Sequence, residues 1–286
     1  MAVEPRPAAS VVLVRAGTVS PLECYLIRRA RSMRFMGGFY AFPGGKVDLS
    51  DRTPESLGRT WGLAPEEAER RSEAEDEDGL ALAYWVAAVR ELFEETGVVL
   101  AVDGLGRRVG PGNTADLERL EAHRRALVLG ERSFAAILAA EAWRADLSGL
   151  AYLARFVTPP TSPIRFAARF FLCPLPDGQS PRLILEETSE GFWVAPGPAY
   201  ARYRAGEWPM AEPAEYTMRY LAQFDDEAAL WAHHAGGRAA FHGIIDRLDA
   251  LRLYTFQPTG HGSGRSTDRP PSEARAPRAA AAPADG

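Results

Sequence analysis

The sequence is poor in cysteine and histidine, and this scarcity argues against several kinds of site. Its 286 residues include two cysteines, Cys24 and Cys173, and five histidines. The cysteines lack metal-binding spacing and fall in predicted strands, so each is expected to be a buried reduced thiol. No two histidines are four residues apart, and the adjacent His233 and His234 point to different helix faces. Without a Ser–His–Asp order or a glycine-flanked nucleophile, covalent catalysis is not expected.

Long apolar runs and an excess of positive charge are also missing. No segment resembles a signal peptide or reaches the length of a membrane-spanning helix, so no membrane partner is expected. The formal net charge is -5, whereas a general nucleic-acid binder would show a basic face, so no nucleic-acid partner is expected. Together with the reduced cysteines, these features predict a soluble globular protein in the cytoplasm.

A dense group of carboxylates within residues 90–97 is the most informative feature that is present. The run reads Arg-Glu-Leu-Phe-Glu-Glu-Thr-Gly. In a helix, Glu91 and Glu95 lie one turn apart on the same face, with Glu94 beside them. Like charges at this spacing disfavour an isolated helix by about 0.2–0.5 kcal/mol per pair. A hard divalent cation such as Mg²⁺ would offset that repulsion.

A solvated acidic helix face is the ordinary interpretation of such a run. Two observations favour a fixed helix instead. Trp85, Val89 and Leu92 form an apolar stripe at helical spacing. Gly97 stands where helices commonly end in a left-handed residue, and residues 98–100 then have the pattern of a strand.

A glycine turn lies upstream, at residues 42–45 (Phe-Pro-Gly-Gly). Glycine lets the backbone approach a phosphate or a metal without obstruction by Cβ. Four arginines precede the turn: Arg28, Arg29, Arg31 and Arg34. Guanidinium groups suit phosphates because their planar fork can bind two oxygens at once. For any single one of these arginines, a place at an exposed basic strand end is the more common interpretation.

These segments resemble the signature of the Nudix hydrolases, G-x5-E-x7-R-E-U-x-E-E-x-G-U, where U is aliphatic. Residues 90–98 match the second half in full. In the first half, Gly45 leads to Asp51 where the family has glutamate. Between Asp51 and Arg90 lie 38 residues instead of seven, so about 31 are inserted. An interruption of this kind resembles the peroxisomal-type coenzyme A diphosphatases.

A second pattern points to the same branch, L-L-T-x-R-[SA]-x3-R-x3-G-x3-F-P-G-G. The arginines, the first glycine and the Phe-Pro-Gly-Gly turn all fall at the required spacing, whereas residues 25–27 (Tyr-Leu-Ile) depart from Leu-Leu-Thr. The resemblance implies that the substrate is bound by Arg29, Arg34, Gly38, Gly44 and Gly45.

The resemblance also implies an α/β fold, in which helices cover both faces of a mixed β-sheet as an α/β/α sandwich. We expect this Nudix domain over residues 8–256. A mainly helical insertion at about 52–80 interrupts the signature, and a helical insert follows at about 113–145. Further helices are expected near the C-terminus, and residues 257–286 have the composition of a disordered tail.

Individual elements are predicted from periodicity and flanking residues. Strands are expected at 8–15 and 23–29 as a hairpin, and at 151–157, 165–173 and 183–186. Helices are expected at 114–129, 133–143, 199–205, 214–224 and 227–234. Residues 243–256 fit neither period.

For the reaction, the resemblance implies Mg²⁺ or Mn²⁺ bound by Glu91, Glu94 and Glu95, with a main-chain oxygen of Gly44 or Gly45. Arg90 is expected to orient the carboxylates. A later glutamate often acts as a base in relatives, and the candidates are Glu187 and Glu190, for either of which a plain surface role is an equal alternative.

The expected function is hydrolysis of a pyrophosphate linkage in a nucleotide-derived small molecule. Coenzyme A or acyl-coenzyme A is the first choice, giving 3′,5′-ADP and a 4′-phosphopantetheine species. One alternative substrate class is ADP-ribose, a dinucleotide cofactor or another nucleoside diphosphate derivative. A second alternative is a Nudix-fold binding or regulatory module without turnover. Because relatives are often dimeric, the resemblance also allows a homodimer.

Overall fold

The structure, a computed structural model, describes residues 3–32, 36–72, 74, 79–183, 188–235 and 238–250. The predictions that fall outside these residues are those for Arg34, for Glu187, for positions 184–186 of the predicted strand, for the tail at 257–286 and for the last part of 243–256.

The ten strands of the described chain form two sheets. Their bounds are β1 Arg6–Arg15, β2 Glu23–Arg29, β3 Tyr40–Ala41, β4 Gly44–Lys46, β5 Thr60–Trp61, β6 Ala101–Val102, β7 Arg144–Asp146, β8 Ala151–Val157, β9 Phe166–Pro174 and β10 Thr188–Val194. The main sheet has the order β10-β2-β1-β9-β8, with β3 beside β2 and β4 beside β1. It is mixed, because β1 runs parallel to β9 and antiparallel to β2.

The predicted hairpin of β1 and β2 is confirmed, with Val14 opposite Cys24 in the register. Cys24 and Cys173 are both free and buried in strands, as predicted. Their burial raises the pKa of each thiol above its ordinary range, so both side chains stay neutral and unreactive.

Nine helices are found in the described residues. They are α1 Pro54–Leu57, α2 Pro65–Ser72, α3 Ala81–Thr96, α4 Thr114–Val128, α5 Phe134–Ala140, α6 Pro196–Arg204, α7 Glu212–Leu221, α8 Glu227–His234 and α9 Arg238–Ala250. Helices α4 and α5 each begin after a capping residue, since the side chains of Asn113 and Ser133 accept hydrogen bonds from the first turns. Residues 243–250 are helical, which decides the described part of the ambiguous stretch.

Successive side chains of β1 and β2 point to opposite faces of the main sheet, and this alternation builds two cores. On one face, Leu13 and Tyr25 belong to the core that includes α3. On the other, Val12 and Leu26 belong to the core that includes α7 and α9. The predicted α/β/α sandwich is therefore confirmed. Among the described residues, no helix combines the length and apolar character needed to span a bilayer.

The predicted strand at 98–100 is wrong in its bounds. Residues 98–100 lie outside any strand, and the strand begins at Ala101. The reason is that the side-chain amide of Gln179 takes both backbone groups of Val99, through bonds of 2.8 Å each. Leu183, the described residue of the predicted strand 183–186, also lies outside any strand.

The two inserted segments meet in a second sheet that periodicity did not predict. Strand β7 lies between β5, from the insertion in the signature, and β6, which follows α3. Three strands of two or three residues each are too short to show a period, so the pairing came from tertiary contacts.

Candidate active site

Helix α3 carries the carboxylate run and is fixed firmly against the main sheet. Its buried residues include Trp85, which is fully buried. The ring of Trp85 packs against the ring of Phe171, with 4.7 Å between the ring centroids. The helix ends as predicted, because Gly97 adopts a left-handed φ of 69° and its N–H donates to the carbonyl of Phe93.

Arg90 is the centre of the hydrogen-bond network on this helix. Its Nε and Nη2 donate to the two carboxylate oxygens of Asp51, each over 2.8 Å. Its Nη1 donates to Glu91 and Glu94, each over 2.9 Å, and Nη2 also donates to the carbonyl of Lys46 over 2.8 Å. These five bonds match the five N–H donors of a guanidinium group. Arg90 therefore organises the carboxylates and has no donor left for a substrate.

Asp51 occupies the place of the glutamate in the signature, and the structure explains why the shorter acid suffices. A 3₁₀ turn at Leu49–Arg52 brings its carboxylate to Arg90, where it is 1% exposed. Its Oδ2 also accepts the N–H of Asp48 over 2.8 Å. The departure from the pattern therefore leaves the arginine fully paired.

The glycine turn approaches the same carboxylates from the sheet. The N–H of Gly44 donates to Oε2 of Glu95 over 2.7 Å. A Cβ at Gly45 would collide with the carboxylate of Glu91, and a Cβ at Gly44 would collide with the backbone of Ala9. Both positions thus favour glycine.

Burial gives the carboxylates of α3 unusual electrostatics. Removal from water raises the pKa of Glu91 to about 7, despite the opposing effect of the Arg90 charge. Burial likewise raises the pKa of Glu94. Both groups would be more stable as anions beside a further positive charge.

The donor set fits a hard divalent cation. Within the described residues, no three His, Cys, Asp or Glu side chains already stand together as a metal cluster. However, Oε2 of Glu91 and Oε2 of Glu94 accept no hydrogen bond from the described chain, and both carboxylates are drawn together by one guanidinium. Carboxylate oxygens beside the main chain of a glycine turn are the ligands that Mg²⁺ and Mn²⁺ prefer.

The neighbouring residues Arg28 and Arg29 of β2 point to opposite faces of the sheet. Arg29 falls on the same face as Ile27, which packs in the core containing α3. Its Nε is buried and meets no partner in the described residues. Arg28 points the other way, where it pairs with Glu190 at 3.2 Å and lies over the ring of Tyr40. Arg29 and the Arg28–Glu190 pair thus lie on opposite faces of the main sheet.

Gly38 shapes the turn that follows Arg29. It has a φ of +83°, and its N–H donates to the carbonyl of Arg29 over 3.0 Å. This conformation favours glycine.

One residue of the site was missed by sequence reasoning. Arg124 on α4 is fully buried, and its Nε donates to the carbonyl oxygen of Glu94 over 2.7 Å. A signal was present, because Arg124 shares a helical face with Leu120 and Leu127, both buried. A cation on an otherwise apolar stripe needs an anionic or carbonyl partner.

Comparison with known proteins agrees with this geometry. The family model described as the NUDT19 Nudix domain matches residues 5–221. The chain belongs to the Nudix hydrolase family. A crystal structure of a Nudix hydrolase from Alicyclobacillus acidocaldarius is 33% identical, with a TM-score of 0.66, covering 79% of this chain and 94% of that one. Both the Nudix fold and the predicted enzyme class are confirmed.

Two curated proteins are similar over much of this Nudix chain. The human acyl-coenzyme A diphosphatase NUDT19 is 28% identical over 260 residues, which is 77% of this chain and 69% of that protein. Nudix hydrolase 7 of Caenorhabditis elegans is 29% identical over 227 residues, and the match spans 62% of its length. The predicted branch of the family, with a long insertion in the signature, is therefore confirmed.

Proposed function

We propose that this Nudix hydrolase is a metal-dependent diphosphatase that cleaves the pyrophosphate linkage of coenzyme A or acyl-coenzyme A. The observation that carries the proposal is the Arg90 network, which gathers Glu91 and Glu94 on one side of α3 while Gly44 holds Glu95. This set faces the glycine turn, where a phosphate can approach closely.

The metal would be Mg²⁺ or Mn²⁺, held by Glu91, Glu94 and Glu95 with a main-chain oxygen of Gly44 or Gly45. When bound, such a cation neutralises phosphate charge and lowers the pKa of a coordinated water. Arg90 keeps the carboxylates oriented, and its burial at 3% exposure excludes water from its hydrogen bonds.

Substrate phosphates would be bound beside the turn. Arg29 offers a buried Nε on the α3 side, and the backbone at Gly38 shapes the adjoining turn. Arg34 is included on the strength of the motif spacing alone. A guanidinium donor suits a diphosphate because it matches the spacing of two oxygens.

Glu187 is the proposed general base. The other candidate, Glu190, forms an ion pair with Arg28 at 3.2 Å on the far side of the sheet. Glu187 precedes Thr188, whose Cα is paired with that of Arg29 in the register. The position in sequence therefore favours Glu187.

Coenzyme A is proposed as substrate because of the upstream motif and the name of the human relative. The motif's departure at Tyr25 and Ile27 concerns two core side chains that pack with α3.

A substrate panel tests the proposal. Purified protein with Mg²⁺ or Mn²⁺ is offered coenzyme A, an acyl-coenzyme A, ADP-ribose and a dinucleotide cofactor, and 3′,5′-ADP is followed by chromatography. Coenzyme A compounds should turn over fastest, and Glu95→Gln should abolish hydrolysis while the exposed control Glu118→Gln keeps it. Faster turnover of ADP-ribose would reject the proposed substrate, and full activity of Glu95→Gln would reject the metal site.

A further inference from the structure

Helix α4, in the insert between α3 and β8, brings a buried cation to the end of the carboxylate helix. Arg124 is 0% exposed, and its Nε donates to the carbonyl oxygen of Glu94 over 2.7 Å. Its Nη1 also reaches Glu121, on its own helix, at 3.4 Å. The main contact of the guanidinium is thus with α3.

The end of α3 is a place where negative charge accumulates. The last four carbonyls of a helix lack partners within it, and together they carry about half a negative charge. Glu94 and Glu95 stand in this same last turn. A cation here therefore offsets the repulsion between two carboxylates and the helix terminus.

Space for the guanidinium is built into the turn after the helix. A Cβ at Gly97 would stand 3.3 Å from Nη1 of Arg124, which is tighter than ordinary packing. Gly97 therefore serves two purposes, because it adopts the left-handed turn and also admits Arg124 against the helix end.

Hydrogen bonding alone does not account for this arginine. Its Nη2 is buried and has no hydrogen-bond partner in the described residues. A buried donor left unsatisfied costs stability. An apolar side chain of similar volume at such a position often leaves stability unchanged or raises it. The positive charge of Arg124 acts on the Glu94 carbonyl, through the hydrogen bond, and on the nearby carboxylate of Glu95.

We propose that Arg124 is a positioning residue, through which the inserted helix α4 holds Glu94 and Glu95 in place for binding a divalent cation. It restrains the Glu94 carbonyl directly and supplies positive charge behind both carboxylates. The inference rests on the proposed function, in which these carboxylates are metal ligands, and it gives the 113–145 insert a role in the reaction.

The test compares folded full-length variants at position 124 with the wild-type protein. Arg124→Met removes the charge, Arg124→Lys keeps it, and Arg125→Met is the matched control, because Arg125 is the exposed neighbour on the same helix. Mn²⁺ affinity is measured by electron paramagnetic resonance titration. Hydrogen exchange of residues 92–97 is measured without metal, so that the readout does not depend on turnover.

Arg124→Met should keep its fold but bind Mn²⁺ about tenfold more weakly, in the range seen when groups that orient metal ligands are removed. It should also exchange faster at the end of α3. Arg124→Lys should recover most of the affinity, and Arg125→Met should match the wild type.

Each other outcome has a definite meaning. Wild-type Mn²⁺ affinity in Arg124→Met overturns the role of Arg124, whereas a wild-type protein that binds no Mn²⁺ overturns the proposed function itself. If Arg124→Met does not fold, Arg124→Gln replaces it with the same expectation. If neither neutral variant folds while Arg124→Lys does, the charge serves folding and the inference is overturned.

Discussion

The carboxylate of Asp51 and the guanidinium of Arg90 are joined by two hydrogen bonds of 2.8 Å across 39 positions of sequence. Their side chains are 2% and 4% exposed. Asp51 ends the first part of the interrupted signature and Arg90 begins the second. The pair therefore brings the two parts together in the fold.

Removing one member of this pair should be strongly destabilising. Asp51→Asn leaves a buried guanidinium without its main counter-charge, which we expect to cost about 3 kcal/mol or more of unfolding free energy. Urea denaturation with Asp48→Asn as the control measures this, because the Asp48 side chain is 60% exposed and 3.8 Å from Arg90. Equal loss in both variants would contradict the assignment.

The carboxylate of Glu91 lies so close to Gly45 that adding a side chain at Gly45 should impair function. Gly45→Ala should displace the carboxylate of Glu91 and lower metal affinity and turnover by at least about tenfold, in line with the effect of disturbing metal-site geometry. Gly104→Ala is the control, because nothing lies within 4 Å of a Cβ placed there. Isothermal titration with Mn²⁺ checks the prediction, and unchanged binding in Gly45→Ala would refute it.

Mutation should show which of the two candidate glutamates is the general base. Glu187→Gln is expected to lower kcat by about 10²–10⁴-fold, the usual contribution of general base catalysis. Glu190→Gln should stay close to wild type, because its carboxylate is engaged by Arg28 at 3.2 Å. The pH dependence of kcat for each variant measures the difference. The reverse ranking would assign the base to Glu190.

The buried imidazole of His234 should make the stability of the protein depend on pH. Burial lowers the pKa of this imidazole below its ordinary value of 6.5, although a hydrogen bond to the backbone of Tyr152 partly opposes the shift. The unfolded chain therefore binds the proton more readily, and stability is lost as pH falls below about 6.5. Denaturation curves at several pH values should show a weaker acid loss in His234→Gln. If the stability of the wild type and of His234→Gln falls equally as the pH is lowered, His234 is not the cause of the acid destabilisation.

Local signals in the sequence predicted much of the scaffold. The hairpin, the end of α3 at Gly97 and helix α4 near 114–129 each depend on a few adjacent residues. Such features are decided by periodicity and backbone conformation, which a single sequence displays.

The contacts between distant segments could not be predicted in the same way. The backbone of Val99 is bound by Gln179, 80 positions away, so a strand-like run did not pair as a strand. Arg124 and Glu94 are 30 positions apart, and no local pattern links them. The register of β2 places Arg28 and Arg29 on opposite faces of the sheet, which the upstream motif alone does not show.

The Asp51–Arg90 pair also anchors the two borders of the segment that separates them. A loop whose borders are already joined loses little more entropy when it lengthens, about 0.6 kcal/mol for each doubling. The segment between Asp51 and α3 can therefore change in length at little entropic cost. The rest of the span, at the start of α3, stays fixed because side chains such as Trp85 and Val89 are fully buried.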